Sequence, residues 1–174
     1  MKINPKFENE MIENYIFNDL YKRFEPEQTE CTYCGEAHME NRNDCYYVPL
    51  FVTSDRTNIV VYRSVKYSKI LIGIPRCKSC REIHDSSINK SRLITFVLVI
   101  LAFSFLVYSF MSLNPFVVVI GFFGIIFGGV YGSAKLTEKL VYDQGIYTLK
   151  DGAETNEVVR DLIIAGWSFT QPSA

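Results

Sequence analysis

Four of the five cysteines form two Cys-x-x-Cys pairs. Each pair can place two thiolates on one metal ion, and two pairs complete a tetrahedral set of four ligands. Gly35 directly follows the first pair, where a tight turn that directs amide groups at sulfur often requires a positive φ. The spacing predicts one structural Zn2+ site, with iron as the alternative metal, and its ligands are Cys31, Cys34, Cys77 and Cys80.

Two other chemistries stay open for these residues. A thiol–disulfide redox centre would need only one pair, beside a thioredoxin-like βαβ pattern that the sequence lacks. The segment His38-Met39-Glu40, followed later by Pro75 and the second pair, is similar to the zinc deaminase signature, with Glu40 as proton shuttle. Because that interpretation leaves the first pair without a role, the four-thiolate site is the stronger prediction.

Three further residues are spare candidates near the metal. His38 lies four residues past Cys34 and His84 four past Cys80, so either could replace a cysteine or hydrogen-bond to a ligand. We expect both histidines to be surface residues beside the site and not metal ligands. Cys45 is predicted to be a small buried apolar side chain.

A long stretch without charged residues follows the second cysteine pair in the chain. No Asp, Glu, Lys or Arg occurs between Arg92 and Lys135. Asn114-Pro115 divides the stretch, because proline cannot continue a helix and keeps the preceding residue out of the helical region. Each half is long enough to cross a hydrocarbon core, and neither has the polar face of a soluble helix. The sequence predicts a transmembrane hairpin with spans 93–113 and 116–134.

Basic residues flank the hairpin, and the short link between its spans has none. By the positive-inside rule both termini are cytoplasmic. The polar and acidic first residues do not resemble a secretory signal peptide, so we expect a two-pass protein of the inner or plasma membrane. The hairpin holds no ionisable side chain, which argues against a transporter or pump. The flanking basic residues are Arg76, Lys78, Arg81, Lys90, Arg92, Lys135 and Lys139.

The second span carries Gly124, Gly128 and Gly132 at four-residue spacing. Glycines on one helix face let two backbones approach closely within a membrane. Two interpretations stay open: packing against the first span, which offers Ala102 and Ser104, or homo-oligomerisation through this face.

The N-terminal region is predicted to be an amphipathic helix over 6–24, because Ile12, Ile16, Leu20 and Phe24 are spaced four apart. An interfacial membrane helix favours Lys and Arg on its polar face. This segment instead carries several acidic residues, so its apolar stripe is predicted to pack on its own domain or on a protein partner.

Three antiparallel strands are predicted between the cysteine pairs, at 46–53, 58–64 and 68–74, because these segments are rich in Val, Ile and Tyr. Turn-like residues at 54–56 and a polar gap near Lys66 are predicted to separate them. Pro49 favours an edge position for the first strand, since proline cannot donate to a neighbouring strand. The lysine and arginine residues near the hairpin suit anionic lipid better than nucleic acid, because lipid requires no additional partner.

The C-terminal tail is predicted to begin with extended structure over 141–149, including a turn at 143–145. Asn156 or Thr155 then caps a short helix, and Gly166 is a natural end for it. Trp167 is interpreted as an anchor onto the N-terminal domain, with a docking segment for another protein as the alternative.

Composition agrees with a folded chain of mixed character. The 174 residues are 48% hydrophobic and 21% charged with a net charge of −1, which is near the globular average and excludes disorder. The predicted domains are a cytoplasmic zinc-ribbon-like domain over 1–92, the hairpin over 93–134, and a tail over 135–174 that docks on the first domain.

The cysteine pairs, the hairpin and the Gly166-Trp167 pair together resemble small bacterial membrane proteins in which a cytoplasmic zinc-ribbon domain precedes two transmembrane helices. The resemblance implies an α+β fold with a small antiparallel β domain and a membrane location, and it implies no particular activity. No Ser/His/Asp, phosphate-loop or paired-carboxylate motif is readable. We therefore expect a zinc-stabilised interaction or scaffold module without catalysis; the alternatives are a metal- or redox-sensing regulator and, less favoured, a membrane-bound zinc enzyme.

Overall fold

The structure is a computed structural model that describes residues 14–59, 62–109 and 115–173. This part of the chain is α+β, as expected, with a four-stranded mixed sheet and four helices. It forms two compact units: one combines the residues up to 81 with those from 149 onward, and the other spans Glu82–Thr148. The elements in chain order are strands β1 (Tyr15–Asn18), β2 (Arg23–Pro26), β3 (Tyr46–Ile59) and β4 (Tyr62–Ile74), and helices α1 (Lys78–Ser109), α2 (Pro115–Tyr142), α3 (Leu149–Thr155) and α4 (Glu157–Ile164).

The sheet consists of two hairpins joined side by side in the order β1-β2-β4-β3. Both hairpins are antiparallel, whereas β2 runs parallel to β4 and meets it at Phe24 and Ile72. Strand β3 lies at the edge of the sheet, which confirms the position that Pro49 indicated. Leu50 and Ile72 are completely buried and form the centre of the core on the sheet.

The predicted helix over 6–24 is wrong for its described part, because residues 15–26 form the β1–β2 hairpin. Residues 6–13 lie outside the described residues. The Asn18 side chain accepts hydrogen bonds from the backbone amides of Leu20 and Tyr21, at 3.0 and 3.3 Å, and this local turn favours the hairpin. The pairing of Phe24 with Ile72 is distant in sequence, and it overrides the helical spacing.

The three predicted strands are also corrected. Residues 58 and 59 end β3, residues 60 and 61 lie outside the described residues, and 62–64 begin β4, which continues through 68–74. The polar residues at 54–56, interpreted as a turn, lie inside β3, where a bulge between Thr53 and Asp55 absorbs the irregularity. Lys66 marked a gap in the sequence pattern, but it lies opposite Asp55 in the register of the two strands. A bulge bends a strand without ending it.

The residues from Leu149 onward belong to the same unit as the sheet, whereas 135–148, the first part of the predicted tail, belong to the other unit. Asn156 caps α4 through a hydrogen bond from the Val159 amide, at 3.2 Å, which confirms one of the two predicted caps. Gly166, with φ of +98°, ends the helix and turns the chain back. Trp167 is buried, and Ser168 exchanges two backbone hydrogen bonds of 2.8 Å with Phe51 of β3.

The extended structure predicted for 141–149 is wrong, although the turn within it is confirmed. Helix α2 continues to Tyr142, and α3 begins at Leu149. Gly145 has φ of +73° and donates its amide to the Tyr142 carbonyl at 2.9 Å. The helix continues because α2 carries good helix formers, including Leu136, Glu138 and Lys139, beyond its apolar part.

Helices α1 and α2 are long and apolar enough to cross a membrane, and almost none of the residues in their apolar stretches is buried within the protein. Both helices are longer than the predicted spans, because helical structure extends into the polar flanks that a hydropathy pattern leaves out. The Ser91 hydroxyl of α1 donates to the Ser133 carbonyl of α2 at 2.6 Å. This bond joins the two helices at the place where the apolar stretch of α1 begins and the apolar stretch of α2 ends.

The glycines of α2 divide into two groups. A methyl group at Gly121 would lie 2.6 Å from Leu106 Cδ1, and one at Gly129 would lie 2.9 Å from Val99 Cγ2, so these glycines allow close contact with α1. A methyl group at Gly124, Gly128 or Gly132 would have no neighbour within 4 Å. The predicted packing of these three on the first span is therefore wrong, and homo-oligomerisation through them stays a prediction.

Candidate metal centre

The first cysteine pair lies in a tight loop after β2. The Cys31 amide donates to the Ala37 carbonyl, and the Gly35 amide donates to the Cys31 carbonyl, both at 2.9 Å. Gly35 has φ of +69°, the left-handed conformation that glycine adopts without strain. The loop thereby turns the side chains of Cys31 and Cys34 toward the same point, as the sequence predicted.

The second pair lies at the junction of β4 and α1. Cys77 immediately precedes α1, and Cys80 lies in its first turn. The Thr32 amide donates to the Pro75 carbonyl at 3.1 Å, which fastens the first loop to the second. A strand end and a helix start therefore position the second pair, and a backbone bond holds the pairs together.

All four thiol sulfurs lie within 4.8 Å of one another, and those of Cys34 and Cys77 are 4.0 Å apart. In a tetrahedral site with metal–sulfur bonds of about 2.3 Å, neighbouring sulfurs are about 3.8 Å apart. The cluster is therefore close to the size that one tetrahedral metal ion requires. The four cysteines could bind a metal ion, and they are the residues that the spacing predicted.

Backbone amides stabilise negative charge on the sulfurs. The Cys77 amide donates to Cys31 Sγ at 3.3 Å, and the Cys80 amide donates to Cys77 Sγ at 3.4 Å. Thiolates are the form that binds metal, and such hydrogen bonds favour them. The loops that position the sulfurs therefore also supply donors to them.

Burial differs among the four cysteines, and the thiols of Cys31, Cys34 and Cys80 have shifted pKa values. Cys31, Cys77 and Cys80 are buried, whereas Cys34 is partly exposed. Burial raises the pKa of the Cys31 and Cys80 thiols. Burial acts in the same direction on Cys34, but hydrogen bonds from the Glu36 and Ala37 amides and from neighbouring thiols outweigh it and lower its pKa to about 7. Cys34 therefore ionises more readily than Cys31 and Cys80.

Two arginines beside the second pair contact Asp44. The buried Arg76 donates from Nε to the Asp44 carbonyl at 2.9 Å, and Arg81 Nη1 lies 2.6 Å from the Asp44 carboxylate. Four thiolates around a divalent ion carry a net double negative charge, which nearby guanidinium groups offset. These contacts also connect the second pair to the short 3-10 helix Arg42–Asp44.

Helix α3 packs on the first loop through a ring and a glycine. The Tyr33 ring lies so close to Gly152 that a methyl group there would overlap its Cε1 and lie 2.7 Å from its Cδ1. Tyr33 is buried between the first two ligands, and burial raises the pKa of its phenol. The sequence contained no signal for this contact, because Tyr33 and Gly152 are distant in the chain.

The spare candidates lie outside the four-cysteine cluster. His38 is exposed, and its Nδ1 lies 3.4 Å from Thr29 Oγ1. His84 is buried and not at the surface as predicted, with Nε2 3.0 Å from the Tyr147 carbonyl. Cys45 is buried, as expected, and its Sγ lies 3.0 Å from Met39 Sδ. A deaminase site needs the histidine on the metal, so the position of His38 weakens that alternative.

Comparison with protein-family models, with curated proteins and with solved structures finds no match. The interpretation of the site therefore depends on its own geometry.

Proposed function

We propose that the chain is a membrane-anchored, zinc-stabilised interaction or scaffold module that is not an enzyme. The observation that carries the proposal is the closed cluster of Cys31, Cys34, Cys77 and Cys80, with sulfurs within 4.8 Å of one another. Four thiolates fill the tetrahedral positions of zinc and leave none for water or substrate, which is the arrangement of structural sites. Metal binding then contributes folding free energy to a unit with a small core.

Zinc is proposed over iron because the cluster connects separate elements of the fold. The ligands belong to a loop after β2 and to the junction of β4 and α1. Zinc binds thiolates without redox chemistry and serves such structural roles in small domains. Iron suits the same four donors and is the alternative.

The anchor in this proposal is the pair α1 and α2, which cross the inner or plasma membrane. Exposed apolar side chains on both helices, among them Phe105 at 73% and Phe127 at 71%, support contact with lipid. Lys and Arg flank both helices outside the stretch from 93 to 134, so the positive-inside rule leaves both termini in the cytoplasm.

A protein partner in this proposal binds the cytoplasmic unit. Leu20 is 80% exposed and Tyr21 57% exposed in the turn between β1 and β2, and Ile164 is 78% exposed at the end of α4. Trp167 is buried, which favours its interpretation as an anchor for the tail. The hairpin turn and the end of α4 therefore replace the predicted helix face and Trp167 as candidate contact points.

The experiment is elemental analysis of the full chain in detergent, together with circular dichroism. We expect one zinc per chain in the unaltered protein, and loss of both zinc and sheet signal in Cys77→Ser. Cys45→Ala is the matched control, because Cys45 lies outside the cluster and its removal leaves the metal bound. Iron in the unaltered protein, or a metal-free and folded protein with titratable thiols, contradicts the proposal.

A second candidate function is metal or oxidant sensing through the same four cysteines. The observation in its favour is Cys34, a partly exposed residue whose thiol pKa is lowered to about 7. If Cys77→Ser keeps its fold and only loses a response to metal or oxidant, the sensing function replaces the scaffold.

A further inference from the structure

An apolar groove of about 290 Å³ runs between α1 and α2. Leu98, Val99 and Ala102 line it on one helix, and Gly124, Gly128 and Gly132 line it on the other. The groove exists because the two helices touch at Gly121 and Gly129, whereas the other three glycines leave space that no side chain fills. The groove is therefore deep because these three residues of α2 are glycines without side chains.

Basic residues lie at one end of this groove. Arg92 lies one helical turn before Thr95, which also lines the groove, and Lys139 follows Leu136, another lining residue, on the same face of α2. Both basic side chains are exposed. Because Ser91 is hydrogen-bonded to Ser133, the next residue, Arg92, lies at the same height along the helix pair as the last glycines of the groove.

The acidic residues nearest to Arg92 and Lys139 in the chain are Asp85, Glu138 and Asp143. No Asp or Glu occurs from residue 86 to residue 137. Glu138 pairs with Lys135 at 2.7 Å. The described part of the chain contains no acidic partner for Arg92 or Lys139 within ion-pair distance.

We propose that the groove binds an anionic phospholipid, with an acyl chain against the glycines and the phosphate between Arg92 and Lys139. The inference rests on the proposed function, since it requires α1 and α2 to lie in a membrane. An apolar groove that ends at two cations is complementary to a molecule with one hydrocarbon chain and one phosphate. Attraction to anionic lipid contributes about five-fold in affinity for each basic residue near the surface.

Charge favours lipid over a second copy of the chain as the occupant. A parallel copy packed on the same glycine face would bring its own Arg92 and Lys139 close to the same residues of the first chain. Like charges in contact destabilise an interface. A lipid phosphate at this position, with its single negative charge, instead attracts both side chains and reduces their net charge from +2 to +1.

The test uses the full chain, purified in detergent and freed of lipid, with native mass spectrometry of bound lipid. The probes are phosphatidylglycerol and phosphatidylcholine with identical acyl chains. We expect phosphatidylglycerol to bind at least ten-fold more tightly, and the double variant Arg92→Gln/Lys139→Gln to lose that preference. Gly128→Leu, which fills the groove, should weaken the binding of both lipids.

Lys90→Gln is the matched control, because Lys90 is an exposed cation on α1 that lies away from the groove face. It should keep the preference for phosphatidylglycerol. The inference is overturned if the two lipids bind equally tightly. It is also overturned if Lys90→Gln loses as much of the preference for phosphatidylglycerol as the double variant does, or if the chain forms a dimer that Gly128→Leu abolishes. Resistance of the chain to alkaline extraction from membranes is measured separately. If the lipid test fails and the chain is also extracted, the proposed function fails as well. If the lipid test fails and the chain is retained, only this inference fails.

Discussion

At the scale of single residues, Cys34 is distinguished from the other three ligands by its exposure. Its thiol has a pKa of about 7, against an ordinary value of 9.0, while burial raises the pKa of Cys31 and Cys80. Because the thiolate is the reactive form, the rate of its modification should increase as the pH rises through about 7.

For the sensing candidate, in which the metal-free chain stays folded, we therefore predict that iodoacetamide modifies Cys34 first, with a half-maximal rate near pH 7 and with Cys31 and Cys80 reacting only above pH 9. Peptide mass spectrometry after brief alkylation at several pH values measures this order. Bound metal should protect all four residues. If Cys31 reacts before Cys34, the different burial of the two thiols does not hold in solution.

A buried ion pair of the sheet gives a second prediction at the scale of single residues. The Glu25 carboxylate is buried, lies 2.8 Å from Arg23 Nη2 and accepts a hydrogen bond from Asn18 at 2.9 Å. Arg23 also stacks on the Tyr47 ring, at 4.1 Å from its centre. Loss of the carboxylate leaves a poorly solvated guanidinium without its counter-charge.

We expect Glu25→Gln to lower the free energy of unfolding by about 3 kcal/mol. Thermal unfolding can be followed through Trp167, which is the single tryptophan of the chain and is buried in the same unit. Asp19→Asn is the control, because Asp19 pairs with Lys22 on the surface, where a pair contributes less than about 1 kcal/mol. Equal effects of the two substitutions would contradict the burial of Glu25.

At the scale of elements, two adjacent glycines of α2 provide a direct comparison. A methyl group at Gly129 would lie 2.9 Å from Val99 Cγ2, whereas one at Gly128 would have open space. Gly129→Ala should therefore separate α1 from α2 and destabilise their pairing by about 1–3 kcal/mol. Gly128→Ala should be neutral or slightly stabilising, since alanine favours helix.

Unfolding of both variants in detergent, measured by the loss of helical circular dichroism with rising denaturant, tests this difference. If Gly128→Ala destabilises the pair as strongly as Gly129→Ala, then Gly128 also lies in a tight contact, as it would in an assembly of two or more chains.

The same scale explains what the sequence could predict. The cysteine ligands were predictable because each pair lies within one local turn, and Gly35 marked that turn. The two apolar helices were predictable because composition alone identifies them. The β1–β2 hairpin was not, because the spacing of Ile16, Leu20 and Phe24 also fits a helix, and the pairing that decides against it involves Ile72, far along the chain.

The contacts around the site were even harder to predict from the sequence. Gly152 is required by the ring of Tyr33, and Asp44 is held by Arg76 and Arg81, but no local pattern connects these positions. Contacts between distant parts of a chain have no signature in periodicity or spacing. The ends of α1 and α2 were missed for another reason, since hydropathy marks apolar residues and does not mark the polar turns that continue a helix.

At the scale of the whole molecule, the two units should respond differently to metal removal. The four cysteines belong to the unit with the sheet, whereas Glu82–Thr148 forms a separate unit of two long helices. We predict that a chelator unfolds the first unit and leaves the helices intact, because metal binding supplies folding free energy only where the ligands lie.

Hydrogen–deuterium exchange in detergent, with and without chelator, measures this prediction. Amides of β2, β4 and α4 should lose protection when metal is removed, while those of the apolar parts of α1 and α2 keep it. Unfolding of both units together, or of neither, would contradict a purely local role of the metal.

The unit that holds the cysteines is made of two separate stretches of the chain, which sets an order of events during synthesis. Its sheet and all four thiols are translated first, but α3, α4 and the strand partner of Phe51 follow only after Glu82–Thr148. At about 5–20 residues per second, that interval lasts on the order of several seconds. During it, the part of β3 that later pairs with Ser168 has no partner, so the unfinished unit is open to proteases and chaperones until Ser168 is added. A ribosome that stalls in the second apolar helix would thus release a product whose defect lies in the unit with the cysteines and not in the helix where synthesis stopped.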